Sequence, residues 1–98
     1  MADFARPLHP GEYLREEFLV PLGMSPGSLA RALRLPRTRI ERIVKEQVGI
    51  TPDTALRLAR YFGTTSEFWM NFQKSYELES EARRIVDELA LIEPRSAA

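Results

Sequence analysis

Cysteine is absent from this 98-residue chain, histidine occurs once, and 14 basic and 14 acidic side chains leave no formal net charge. Without cysteine there is no disulfide, no thiol nucleophile and no cysteine-ligated zinc. The single imidazole, His9, has Glu12 and Glu16 at helical spacing. Three mixed ligands at a helix start make a weak metal site, and a capping or exposed role for His9 is the favoured reading. Gly-rich phosphate loops, a nucleophile elbow and a paired-carboxylate cleft are missing too. No enzymatic activity, catalytic residue, metal or cofactor is therefore expected. No apolar run approaches membrane-spanning length, so no membrane association is expected. The first residues, with Asp3, Pro7 and Pro10, lack the apolar core of a signal peptide. A cytoplasmic protein is the expectation.

Zero net charge removes any global attraction to a polyanion, but the charges are unevenly spread. From residue 31 to 45 the chain carries Arg31, Arg34, Arg37, Arg39, Arg42 and Lys45 against Glu41 alone. Acidic side chains collect elsewhere: Glu12, Glu16 and Glu17 near the start, and Glu77, Glu79, Glu81, Asp87, Glu88 and Glu93 near the end. A basic patch on a neutral body favours local docking onto phosphate. The patch coincides with two short helical patterns joined by a tight turn. Leu29, Ala30 and Leu33 form the apolar stripe of the first, and Ile40, Ile43 and Val44 that of the second. The second presents Arg37, Thr38, Arg39, Arg42 and Lys45 on its other side. This is the pattern of a helix-turn-helix, whose second helix enters the DNA major groove.

Helix punctuation extends over the rest of the chain. His9-Pro10-Gly11-Glu12 reads as a helix start with Glu12 able to reach back, and Pro21 and Gly23 as its end. Ser25-Pro26 opens helix 2, and Pro36 marks helix 3, expected to run to Lys45 or Glu46 before Gly49 breaks it. Thr51-Pro52-Asp53 caps helix 4, whose face of Ala55, Leu58, Ala59 and Phe62 ends at Gly63. Thr64-Thr65-Ser66-Glu67 matches a capping box at the head of helix 5. Phe68, Trp69, Phe72 and Tyr76 follow at helical spacing, Trp69 and Phe72 as core. A last amphipathic segment, about residues 80–93, places Ala82, Ile85, Leu89 and Ile92 on one stripe, and the residues after Pro94 are expected to fray. There is no strand-like alternation, repeat or low-complexity stretch. The fold class is all-α, a five- or six-helix repressor-like bundle with a helix-turn-helix, and residues 1–98 read as a single domain.

Duplex recognition needs phosphate contacts for register and base-edge contacts for sequence. Arg37, Thr38, Arg39 and Arg42 are the candidate base readers. Ser25 and Ser28 at the start of helix 2, with Arg31, Arg34 and Lys45, are the candidate phosphate contacts. Asparagine and glutamine, the usual adenine readers, are absent between Arg37 and Glu46, so readout should lean on guanine. One such unit covers little DNA, and a C2 dimer with recognition helices about 34 Å apart is expected. Helix 5 and the segment at about 80–93 are the candidates for the dimer seam or a partner contact.

Three stretches together resemble the HigA family of antitoxins within the Xre/Cro-like helix-turn-helix group. They are His9-Pro10-Gly11-Glu12-Tyr13-Leu14-Arg15-Glu16-Glu17-Phe18-Leu19, then Gly49 through Arg60, then Gly63-Thr64-Thr65-Ser66-Glu67-Phe68-Trp69-Met70-Asn71-Phe72-Gln73. The resemblance spans residues 8 to 78. It implies a five-helix repressor-like fold, a homodimer, and a toxin partner of the HigB type, similar to the RelE ribonucleases that cut messenger RNA at the ribosome. The antitoxin would neutralise that toxin and repress the shared promoter. By motif position, Arg37, Thr38, Arg39 and Arg42 would read the operator and Ser25 and Ser28 would meet phosphate. Two departures stand out. The turn before helix 3 usually carries glycine, and here it is Arg34; a positive φ there costs about 1–3 kcal/mol. The family commonly ends helix 3 with Asn-Gly, where this chain has Val44-Lys45-Glu46, so a longer helix is expected.

Toxin binding by a folded surface is expected, because the chain has too little disordered length for an acidic tail. Glu12, Glu16 and Glu17, or Glu77, Glu79 and Glu81, would meet a basic toxin, against an equal weight for plain surface charge. An autonomous repressor without a toxin is the nearest alternative, and a protein-interaction module without DNA a more distant one.

Overall fold

Four helix starts among the described residues are closed by the same device, a polar side chain that accepts from the backbone just ahead. His9 Nδ1 accepts from the Gly11 N–H at 2.9 Å, Ser25 Oγ from Ser28 at 3.0 Å, Thr51 Oγ1 from Thr54 at 3.4 Å and Thr65 Oγ1 from Phe68 at 3.0 Å. Proline follows the cap in the first three, where its missing N–H has no helical partner to lose. The structure, a computed structural model, describes residues 6–95.

The first helix, α1, spans 10–22 in three parts: Pro10–Leu14, a π-helical segment Arg15–Leu19, and a last turn Val20–Leu22. The Val20 N–H bonds back to Arg15 O, five residues away, so the helix is already widened where Pro21 follows. Then come α2 (Pro26–Leu33), α3 (Arg37–Val44), α4 (Pro52–Phe62), α5 (Ser66–Arg84) and α6 (Val86–Leu91), with no strand among the described residues. The all-α expectation stands. The helix-turn-helix pair α2 and α3 packs together, α1 lies on α3 and α5, and α4 packs on α5 and α2. Leu14, Leu29, Leu33, Ile40, Ile43, Ala55, Leu58 and Trp69 fill the space between them.

Several expectations are corrected. α3 does not run to Lys45 or Glu46: it stops at Val44, and Glu46 turns left-handed with φ 62°. Gly49 is therefore not the breaker. It lets Gln73 approach, since a Cβ there would lie 2.4 Å from Gln73 Oε1, which accepts from the Ile50 N–H at 2.7 Å. The cap of α5 is Thr65, with no capping box, because Thr64 Oγ1 is taken by the Trp69 indole N–H at 2.7 Å. Glu12 pairs with Arg6 at 2.7 Å and does not reach back to the cap. Phe72 is half-buried, stacked on Tyr13 at 4.2 Å, while Trp69 is wholly buried. The segment at about 80–93 is not one helix: α5 continues to Arg84, and α6 is only six residues. No residue of α6 is buried, and the molecule measures 53 × 25 × 24 Å. The expected fraying after Pro94 falls partly on residues 96–98, outside the described residues, as does Asp3 at the other end.

His9 is buried and its ring stands edge-on to Tyr76 at 4.7 Å. Burial lowers its pKa below the ordinary 6.5, against the pull of Glu46 and Glu12. Only the neutral ring can accept at Nδ1, so the cap needs the unprotonated form. The unfolded chain then binds more protons than the folded one, and stability rises with pH through this window. Stability is expected to be full above about pH 7 and to fall as pH drops through the unfolded value and then the lowered folded one. Urea midpoints compared at about pH 7.5 and pH 5.5 check this: the difference should shrink in His9→Asn, which caps without titrating.

Candidate DNA interface

On a helix of about 3.6 residues per turn, the buried Ile40, Ile43 and Val44 fix which way α3 faces. Thr38, Arg42 and Lys45 then point directly away from the core. Arg39 lies on the flank toward α4, and Arg37 and Glu41 lie on the opposite flank. The side chains of Arg42 and Lys45 make no hydrogen bond or ion pair among the described residues, and both are exposed. Arg37 is 74 % exposed, with Nε bonded to Glu41 at 2.8 Å, one turn along the same helix. Such a surface pair contributes only about 0.3–0.5 kcal/mol and yields readily to a phosphate or base. Arg39 Nη1 bonds Asp53 Oδ2 at 2.8 Å.

At the start of α2, the two serines divide their work. Ser25 Oγ caps the helix and donates to Ser28 Oγ at 3.2 Å, so its hydrogen is committed. Ser28 Oγ also accepts from Arg31 at 3.4 Å, which leaves the Ser28 hydroxyl hydrogen for an outside acceptor. Arg31 and Arg34 are exposed. The start of α2 approaches α3 at Gly27, where a Cβ would stand 3.6 Å from the Arg37 side chain, while Ser25 serves the helix first.

Both ends of the recognition helix rest on residues with positive φ that are not glycine. Arg34, in the turn before α3, has φ 60° and ψ 46°, and Glu46 after it has φ 62°. Each is braced by an arginine from another helix that motif reading did not single out. Arg57 of α4 donates to Leu33 O at 2.8 Å and Arg34 O at 3.2 Å. Arg15, in the π-helical segment of α1, donates to Val44 O and pairs with Glu46 at 3.3 Å. A guanidinium on the free carbonyls of a helix C-terminus satisfies orphan acceptors and opposes the negative end of the dipole. Backbone contact completes the support: a Cβ at Gly11 would stand 1.7 Å from Ile43 O, so α1 and α3 touch at main-chain distance. No sequence period marks Arg15 or Arg57, because their partners lie 29 and 24 residues away.

Relief of the left-handed turn is measurable. Arg34→Gly is expected to stabilise the fold by about 0.5–1 kcal/mol, the left-handed penalty less the entropy of glycine. If Arg34 meets phosphate, the same change lowers the salt slope of DNA binding by about 0.9. Thermal unfolding and a salt titration of duplex binding on the one variant test both.

A packed pair of helices joined by a tight turn, an outward cationic face and braced helix ends define the class of helix-turn-helix proteins, and the profile of the family described as "Helix-turn-helix" covers residues 14–69. The chain is 34 % identical over 89 residues to Antitoxin HigA-1 of Vibrio cholerae serotype O1, spanning 91 % of this chain and 84 % of that protein. It is 56 % identical over 72 residues to Virulence-associated protein I of Dichelobacter nodosus, spanning 74 % and 67 %. Among solved structures, the antitoxin HigA of Pseudomonas aeruginosa with the higBA promoter superposes with a TM-score of 0.89 at 46 % identity, covering 93 % of this chain and all of that one. The chain belongs to the HigA antitoxins. Among the described residues, no helix is long and apolar enough to cross a membrane.

Proposed function

We propose that this chain is the antitoxin of a type II toxin–antitoxin pair, binding the operator of its own promoter as a dimer and neutralising a HigB-type ribonuclease in the cytoplasm. It performs no catalysis. The observation that carries the reading is the outer face of α3, where Thr38, Arg42 and Lys45 are exposed and the side chains of Arg42 and Lys45 have no hydrogen-bond or ion-pair partner among the described residues. The likeness to a HigA antitoxin solved with promoter DNA supports it at 46 % identity. Thr38, Arg39 and Arg42 read base edges, with Arg37 joining once its pair with Glu41 opens. Ser28, Arg31, Arg34 and Lys45 meet phosphates, and Ser25 acts through the helix end that it caps. Guanine-containing half-sites are the preferred sequence.

The dimer forms through the far end of the molecule. Leu78, Val86, Leu89 and Ile92 are exposed there, and a second copy would cover them. The toxin meets a folded acidic face. Glu12 and Glu16 are paired with Arg6 and Arg15, and in the second cluster Glu77 accepts from Gln73 at 2.6 Å and Glu81 pairs with Arg84. Both acidic clusters therefore stand as candidate toxin faces.

Co-expression with the small reading frame beside the gene tests the whole reading. Growth arrest by the neighbour alone, rescued by this chain in a co-purifying complex, establishes the antitoxin. A harmless neighbour and no complex leave an autonomous repressor. Charge reversal of Glu12, Glu16 and Glu17, and separately of Glu77, Glu79 and Glu81, identifies the toxin face by loss of the complex; no effect from either excludes both.

A further inference from the structure

The geometry points to Asp53 as the positioning residue for Arg39, and through it as a determinant of operator sequence preference. The inference rests on the DNA-reading function proposed above. Asp53 occupies the second position of α4, where the positive end of the helix dipole favours a carboxylate. Its Oδ2 accepts from Arg57 Nε at 3.1 Å and from Arg39 Nη1 at 2.8 Å. Arg57 is itself fastened to the backbone of the helix-turn-helix turn, at Leu33 O and Arg34 O. A continuous chain of bonds therefore runs from that turn through Arg57 and Asp53 to the guanidinium of Arg39.

The identity of the bonded nitrogen matters. With Nη1 on Asp53, the opposite edge of the guanidinium, Nε and Nη2, has no hydrogen bond among the described residues. Those two N–H groups are parallel and form a complete bidentate donor, the arrangement that matches guanine O6 and N7. Arg39, Asp53 and Arg57 line an open concavity of about 390 Å³ between α3 and α4, and the Arg39 side chain is 42 % exposed. Arg37 differs: Glu41 occupies its Nε and blocks the corresponding edge.

A carboxylate at this place acts in two opposite directions. It repels DNA phosphates, which weakens binding to any duplex. It also holds a long side chain in one orientation before DNA arrives, which reduces the freedom lost on reading guanine. Asp53 thus exchanges general affinity for discrimination. A residue that merely capped α4 would raise both affinities or lower both.

The test uses the full chain, the duplex selected from a random pool, and a scrambled duplex of equal length at one salt concentration. Asp53→Asn should bind the scrambled duplex at least as tightly as the original chain, while the ratio of selected to scrambled affinity falls about tenfold, within the range for one bidentate contact. In an Arg39→Ala background, Asp53→Asn should change that ratio no further. Should the asparagine variant fail to fold, Asp53→Ser, also suited to a helix start, serves in the same measurement. An unchanged ratio, equal loss on both duplexes, or a persistent effect without Arg39 overturns the proposal and leaves DNA reading intact. An original chain with no preference between the duplexes overturns the DNA-reading function, and this inference with it.

Discussion

A chain carrying Arg39→Ala and Arg42→Ala together is expected to bind DNA and no longer to distinguish its operator. Each bidentate arginine–guanine pair contributes about 1–3 kcal/mol of discrimination, and well-separated positions add roughly. Two pairs amount to about 2–6 kcal/mol, against about 4–10 kcal/mol for a whole specific site. The proposed phosphate contacts from Ser28, Arg31, Arg34 and Lys45 are untouched, so binding to any duplex should survive with little change in its salt slope. Fold stability should hold, because both side chains are exposed; Arg39 loses only a surface pair with Asp53. Competition binding with selected and scrambled duplexes, alongside a urea unfolding curve, measures all three quantities. Arg31→Ala provides the contrast: weaker binding on both duplexes, an unchanged ratio, and a slope lower by about 0.9.

Trp69→Ala has the largest expected effect on stability. The indole is fully buried and donates to Thr64 Oγ1 at 2.7 Å. Its ring lies 5.1 Å from Phe18, 5.2 Å from Phe68, 6.2 Å from Phe62 and 6.3 Å from Tyr13. It therefore joins α1, α4 and α5 at one point. Truncation of such a side chain costs about 3–5 kcal/mol through lost transfer energy and the cavity left behind. Domains of this kind hold only about 5–15 kcal/mol, so the variant should lose much of its margin or unfold. A fall in the urea midpoint with an unchanged slope is the expected signature. Trp69→Phe should cost less, since it keeps most of the volume and strands only a half-buried Thr64 hydroxyl.

The two sets of residues differed in how visible they were beforehand. Ser25-Pro26, Thr51-Pro52 and the stripe of Ile40, Ile43 and Val44 are short-range signals, and the structure builds α2, α4 and α3 on them. The capping-box match at Thr64 misled by one residue, because a hydroxyl that fits a cap also fits an indole N–H five residues away. The expectation of a longer α3 failed for a related reason. Propensity says little about Glu46, but Arg15 reaches across from α1 and holds the helix end in a left-handed turn. Gln73 and His9 gained a role from burial that their local sequence does not carry. Gln73, quoted only as part of a family stretch, closes the Ile50 N–H, and His9, read as a capping or exposed group, is a cap that is also buried.

Local chemistry in the sequence alone determined that the chain is helical, where most helices begin, that its positive charge gathers on the second helix of a helix-turn-helix, and which family it resembles. These follow from interactions spanning one to four residues, which any unfolded segment already contains. Tertiary structure decided which members of the basic patch stand free, which are braced, and which serve as braces. Arg42 faces outward, Arg39 is tied to Asp53, and Arg57 and Arg15 are spent on the ends of α2 and α3. The physical reason is distance: those partners lie 14, 24 and 29 residues apart in the chain. Packing of Gly11 on Ile43 brings Arg15 to Val44, packing of α4 against α2 brings Arg57 to Leu33, and the approach of the start of α4 to α3 brings Asp53 to Arg39.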